Sequence, residues 1–98
     1  MYKIFRSAGH RLGVSDAPDY LVIDGRFFPT VAHPRGWSAY PDYELHRDGK
    51  VYRAANHPLG MGTAPDYEIG KDCRLYRTVN HPEGQVDDPE YELRDIAG

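Results

Sequence analysis

Tyr43-Glu44-Leu45-His46-Arg47-Asp48-Gly49-Lys50-Val51-Tyr52-Arg53 is the stretch on which the fold turns. Apolar and polar residues alternate from Tyr43 to His46, the period-two pattern of a half-buried strand, and a second apolar run begins at Val51. Asp48-Gly49 between them is a strong hairpin signal, because a two-residue type I′ turn needs positive φ at both central positions. Centring the turn there sets Leu45 opposite Tyr52 and Glu44 opposite Arg53. Tyr43, Leu45 and Tyr52 then share one face, while Glu44, His46, Val51 and Arg53 share the other.

The pattern recurs along the chain. Pro-Asp-Tyr stands at Pro18-Asp19-Tyr20, Pro41-Asp42-Tyr43 and Pro65-Asp66-Tyr67, with Pro89-Glu90-Tyr91 as a variant, at spacings of 23, 24 and 24 residues. His-Pro recurs at His33-Pro34, His57-Pro58 and His81-Pro82, each His followed three residues later by Gly36, Gly60 or Gly84. Lys3-Ile4-Phe5-Arg6 matches Lys50-Val51-Tyr52-Arg53, and His10 and Gly13 fill the His and Gly positions, with Arg11 where the others have Pro. A period of this length marks a repeat architecture. Seven of the eight prolines occupy repeat positions. Proline cannot donate to a ladder, so those positions lie outside the strands, and each unit reads as a hairpin followed by a non-helical return loop.

The chain begins with the second strand of a unit, Lys3 to Ser7, and ends with the first strand of one, Tyr91 to Arg94. Neither half has a local partner, and a lone or open edge is a liability. We therefore expect an all-β single domain over residues 1–98: four hairpin repeats of about 24 residues, closed into a pseudo-fourfold ring or small barrel by pairing of the N- and C-terminal strands. The units are 91–98 plus 1–19, 20–42, 43–66 and 67–90. Closure sets Leu93 against Phe5 and Glu92 against Arg6. The core is then four triads: Phe5, Tyr91, Leu93; Tyr20, Val22, Phe28; Tyr43, Leu45, Tyr52; and Tyr67, Ile69, Tyr76. Closure between two chains, giving a strand-swapped oligomer, is the alternative.

Composition narrows the function classes. The 98 residues carry 12 Lys and Arg against 15 Asp and Glu, a formal net charge of −3 that gives no general reason to expect nucleic acid. No apolar run is long enough to span a bilayer and the N-terminus lacks a signal-like stretch, so we expect no membrane partner and a cytoplasmic setting. The single Cys73 excludes an intrachain disulfide and a CxxC metal site. No phosphate-binding loop, dinucleotide fingerprint, nucleophile elbow or zinc-protease motif occurs, and we expect neither an enzyme nor a cofactor.

Two repeated constellations carry polar chemistry. Glu44 with Arg53, Glu68 with Arg77 and Glu92 with Arg6 read as cross-strand ion pairs that fix register, each worth about 0.2–1 kcal/mol. The unit with Leu21 in the Glu position has Pro29 in the Arg position, consistent with that pairing. His10, His33, His57 and His81 are weak candidate metal ligands: in a ring, equivalent imidazoles converge only if they face the axis. Asp19, Asp42, Asp66 and Glu90 would then orient them. The simpler role of these histidines is a local bond that locks the turn, as the following Pro suggests. Cys73 stands in a hairpin turn as an incidental thiol.

The unit from 20 to 43 departs from the others. Its turn, around Asp24-Gly25, is one residue shorter, read as a three-residue loop including Arg26 if the partners are kept. The outer face then carries Leu21, Ile23, Phe27 and Pro29, and the return loop adds Trp37 and Tyr40. An apolar, aromatic sector on a charged exterior is the mark of a contact surface. These six residues predict a non-enzymatic protein-interaction module that self-associates or binds another protein. Two further readings are a small-ligand or glycan binder, with Trp37 and Tyr40 stacking on a sugar beside Arg35, and a metal-binding protein built on the histidines.

Overall fold

The computed structural model describes residues 2–95. Met1 and residues 96–98, which belong to the expected unit of 91–98 plus 1–19, lie outside the described residues. Eight antiparallel strands form one closed barrel: β1 (Tyr2–Arg6), β2 (Tyr20–Ile23), β3 (Arg26–Pro29), β4 (Tyr43–Leu45), β5 (Lys50–Arg53), β6 (Tyr67–Ile69), β7 (Arg74–Arg77) and β8 (Tyr91–Asp95). Each strand pairs with its neighbours in sequence, and β1 pairs with β8 from Tyr2↔Asp95 to Arg6↔Tyr91, which removes both sheet edges within one chain. Tight turns join the strands at one end of the barrel. Return loops 7–19, 30–42, 54–66 and 78–90 gather at the other.

The register differs from expectation by one residue in every hairpin. Tyr43 pairs with Arg53, Glu44 with Tyr52 and Leu45 with Val51, and Leu93 meets Ile4 rather than Phe5. The cause is the turn. The Gly49 amide donates to the His46 carbonyl, and Gly49 alone takes positive φ, at 78°. This is the three-residue loop with a left-handed glycine, which Asp-Gly fits as well as it fits a type I′ turn. Asp48 favours it: Oδ1 accepts the Lys50 amide at 2.9 Å, and Oδ2 accepts the Tyr52 hydroxyl at 2.8 Å. The two-residue turn sits instead between β2 and β3, where Asp24 and Gly25 have φ of 51° and 74°, and Ile23 faces Arg26.

A one-residue slip moves every side chain of the second strand to the other face. Ile4, Phe27, Val51 and Leu75 therefore point inward, where Phe5, Phe28, Tyr52 and Tyr76 were expected. They join Tyr20, Val22, Tyr43, Tyr67 and Tyr91, with Leu45, Ile69 and Leu93 packed against them. Phe5 stays buried on the outer surface, beneath the Arg94 guanidinium 4.2 Å from its ring centroid.

In the β6–β7 turn Cys73 takes the place of Gly49, with φ of 62°. A left-handed residue with a Cβ costs about 1–2 kcal/mol, and glycine returns part of that through its freedom in the unfolded chain. Cys73→Gly is expected to raise stability by about 1 kcal/mol. Urea denaturation of the reduced protein checks it, and an unchanged or lowered midpoint would count against the turn geometry.

Candidate functional site: a cavity ringed by histidine and tyrosine

The four return loops fold by the same short-range bonds. The amide of Ser7, Thr30, Ala54 or Thr78 donates to the carbonyl of Glu90, Asp19, Asp42 or Asp66, the His amide donates three residues back, and Gly13, Gly36, Gly60 or Gly84 donates to the His carbonyl. Two consecutive turns thus place each imidazole over the barrel end. The Nδ1 atoms of His10, His33, His57 and His81 accept the amides of Leu12, Arg35, Leu59 and Glu83, each at 3.0 Å. A ring nitrogen that accepts carries no proton, so the neutral imidazoles are fixed as the Nε2–H tautomer.

Three of those Nε2 atoms meet tyrosine hydroxyls. His33 reaches Tyr20 at 3.0 Å, His57 reaches Tyr43 at 3.0 Å and His81 reaches Tyr67 at 3.2 Å. His10 lies edge-on to Tyr91, centroids 5.1 Å apart. The tyrosines close a ring of their own, Tyr20–Tyr43–Tyr67–Tyr91, with edge-to-face centroid separations of 5.6–6.0 Å. Aromatic edges on faces are the favoured arrangement, and this ring caps the apolar core. Two hydroxyls pass the bond onward, Tyr67 to Glu90 Oε2 at 2.7 Å and Tyr20 to Asp42 Oδ2 at 3.4 Å.

The acids of the Pro-Asp-Tyr positions take the arginines that were expected to pair with glutamates. Arg6 Nε lies 2.9 Å from Asp19, Arg53 Nε 2.9 Å from Asp66, and Arg77 Nε 3.2 Å from Glu90. The register slip is the reason: it turns these arginines inward and leaves the glutamates outside, where Glu44 lies opposite Arg26 and Glu68 opposite Lys50. Asp42 has no strand arginine, because Pro29 stands there, and Arg35 from the return loop pairs with it instead. The joint replacement of Glu by Leu21 and of Arg by Pro29 therefore has a different meaning from the one expected: the arginine moved and its acid, Asp42, stayed.

Burial sets the electrostatics. It pushes all four imidazoles below their ordinary value; around His10, Glu90 and Asp19 pull back upward while Arg6 and Arg11 push further down. Burial likewise raises the hydroxyls of Tyr20, Tyr43, Tyr67 and Tyr91, and nearby carboxylates add to the effect; neighbouring tyrosines add to it at Tyr20, Tyr67 and Tyr91, whereas the hydrogen bond with Tyr67 works downward at Tyr43. For Glu90, burial works upward, but hydrogen bonds from Arg77 and Tyr67 outweigh it and hold the carboxyl below its usual range.

All four histidines border one open cavity of about 450 Å³ at the loop end. They converge, as a metal site would require, yet not as open ligands: Nδ1 of each is occupied by a backbone amide, and Nε2 is held against a tyrosine hydroxyl in His33, His57 and His81 and lies 4.0 Å from Glu90 Oε1 in His10. Among the described residues no three His, Cys, Asp or Glu side chains come together to hold a metal ion. Arg35 borders the cavity, and Trp37 and Tyr40 lie outside its lining.

The expected apolar sector is split. Phe27 is 1% exposed in the core and Pro29 is buried, so these two leave the candidate surface for the reason given by the register. Leu21 is half-buried, Ile23 is exposed near the tight turns, and Trp37 and Tyr40 are 67% and 63% exposed in loop 30–42. Sequence reading missed the tyrosine hydroxyls, assigned to the core alone, and the Arg35–Asp42 pair. Pro29 in an arginine position with a new arginine six residues on was the signal for the latter.

No known protein family, no curated protein and no solved structure matches this chain.

Proposed function

We propose that this protein is a non-enzymatic interaction module, a fourfold repeat of hairpin units that self-associates through its return loops, with Trp37 and Tyr40 at the centre of contact. The observation that carries the reading is the exposure of those two rings, 67% and 63%, in the single return loop that bears Trp, Tyr or Phe. Large exposed aromatics on a small domain mark contact sites. Leu12, Val14, Val31, Leu59, Met61 and Val79 are exposed on the same set of loops, which shifts the contact from the strand sector of Leu21 and Ile23 towards the loops.

Trp37 and Tyr40 together bury roughly 300–500 Å² per protomer at most, short of the roughly 800 Å² per partner of a stable complex. The association is therefore expected to be weak, in the micromolar range or above, unless the neighbouring loops join it. Sedimentation across micromolar to millimolar concentrations tests this. A monomer–dimer equilibrium abolished by Trp37→Asp and Tyr40→Asp supports the reading, and a monomer at every concentration removes it.

A further inference from the structure

The return loop that carries Trp37 and Tyr40 is tied down differently from the other three. In those, the arginine just ahead of the loop reaches the acid at its end: Arg6 to Asp19, Arg53 to Asp66 and Arg77 to Glu90. The proline carbonyl beside that acid also accepts a hydroxyl from the first residue of the next loop: Thr30 donates to Pro18, Thr78 to Pro65 and Ser7 to Pro89. Loop 30–42 lacks both ties, because Pro29 stands in the arginine position and Ala54 in the hydroxyl position. Its acid, Asp42, is held instead by Arg35 from within the loop. That pair brackets residues 36–41, the segment that bears both exposed rings. Beyond the turn bond of Gly36, the described bonds inside the bracket run from the Ser38 amide to the Pro29 carbonyl at 3.3 Å and from the Tyr40 amide to Ser38 Oγ at 3.1 Å.

We propose that the Arg35–Asp42 pair is a clamp that sets segment 36–41, and that Arg35 is thereby a positioning residue for self-association; this second part rests on the function put forward above. The Asp42 carboxylate is buried, so its charge demands a cation and keeps the guanidinium in place. Arg35 and Asp42 are seven residues apart, whereas each strand arginine stands thirteen residues from its acid. A shorter closed span leaves the chain inside it fewer conformations. An arginine in the strand holds a loop as a whole, and the internal one fixes the half that bears the rings. A segment ordered before contact loses less conformational entropy on association.

Pro29→Arg combined with Arg35→Ser moves the cation back to the strand, as in the other three units, and keeps Asp42 paired while it opens the clamp. Serine also retains the backbone amide that His33 Nδ1 accepts. At a concentration where the chain is monomeric, NMR order parameters of residues 36–41 are expected to fall from about 0.85 to below about 0.6 in this variant, with the four histidine turns unchanged. Sedimentation is expected to show self-association weakened by about tenfold. Asp42→Ala opens the clamp from the buried side, where no partner reaches, and is expected to weaken association alike, which separates positioning from direct contact by Arg35. An ordered segment in the first variant would overturn the clamp. A disordered segment with undiminished association would overturn the positioning role, as would undiminished association in Asp42→Ala. If the unaltered chain is monomeric at every concentration, the self-association reading and the positioning role fall together, and the order parameters decide the clamp.

Discussion

Acidification from about pH 7 to about pH 5 is expected to destabilise this protein, with the stability lost in the return loops. A proton added to His10, His33, His57 or His81 must go to Nδ1, which already accepts a backbone amide, so the charged ring and the folded loop compete for one atom. Burial pushes all four imidazoles down. The sign follows: below the ordinary value of about 6.5 the unfolded chain binds protons that the fold does not, so stability is fully present above that pH and falls as pH drops towards the lowered values. Each such histidine contributes a slope of at most about 1.4 kcal/mol per pH unit, and four set a ceiling near 5.5. Urea denaturation at a series of pH values measures it. A slope equivalent to two or more protons between about pH 6.5 and 5 is expected, and a flat profile would mean that the imidazoles titrate without disturbing the loops.

Arg53→Met is expected to cost about 3–5 kcal/mol, because it leaves Asp66 buried without its cation. Asp66 is almost inaccessible and its Oδ2 lies 2.9 Å from the guanidinium, so water cannot replace the lost partner. Glu44→Gln, at the exposed residue that the simplest hairpin reading pairs with Arg53, is expected to change stability by less than about 1 kcal/mol. Adding Asp66→Asn to Arg53→Met removes the stranded charge and should restore much of the loss, which a double-mutant cycle reads directly. Comparable small effects at Arg53 and Glu44 would return the arginine to the outer face and with it the whole register.

That register marks the limit of what the amino acids disclose on their own. The strands, the closure of β1 on β8 and the inward Tyr20, Tyr43, Tyr67 and Tyr91 are readable, because three first strands alternate, at Tyr43-Glu44-Leu45, Tyr67-Glu68-Ile69 and Tyr91-Glu92-Leu93, and Tyr20 holds the equivalent place in the fourth. Second strands begin with apolar doublets: Ile4-Phe5, Phe27-Phe28, Val51-Tyr52 and Leu75-Tyr76. Either member fits the core, so alternation does not choose, and the choice falls to turns in which Asp-Gly permits two geometries. The Asp48 carboxylate decides between them by holding the Lys50 amide and the Tyr52 hydroxyl, a three-way contact that no spacing rule contains. The ion pairs followed the register, which is why acids read as companions of histidine proved to be partners of arginine. Convergence of the histidines was illegible for another reason: residues 23 and 24 apart meet only through the course of loops whose path depends on the closed barrel.

The locked histidine is the claim on which both the acid response and the shape of the cavity rest. Long-range nitrogen–carbon correlation NMR of the imidazoles at neutral pH reads their tautomers one by one. His10, His33, His57 and His81 are all expected to show a protonated Nε2 and a bare, hydrogen-bond-accepting Nδ1. Protonation at Nδ1, or rapid exchange between the two forms in these four rings, would contradict it.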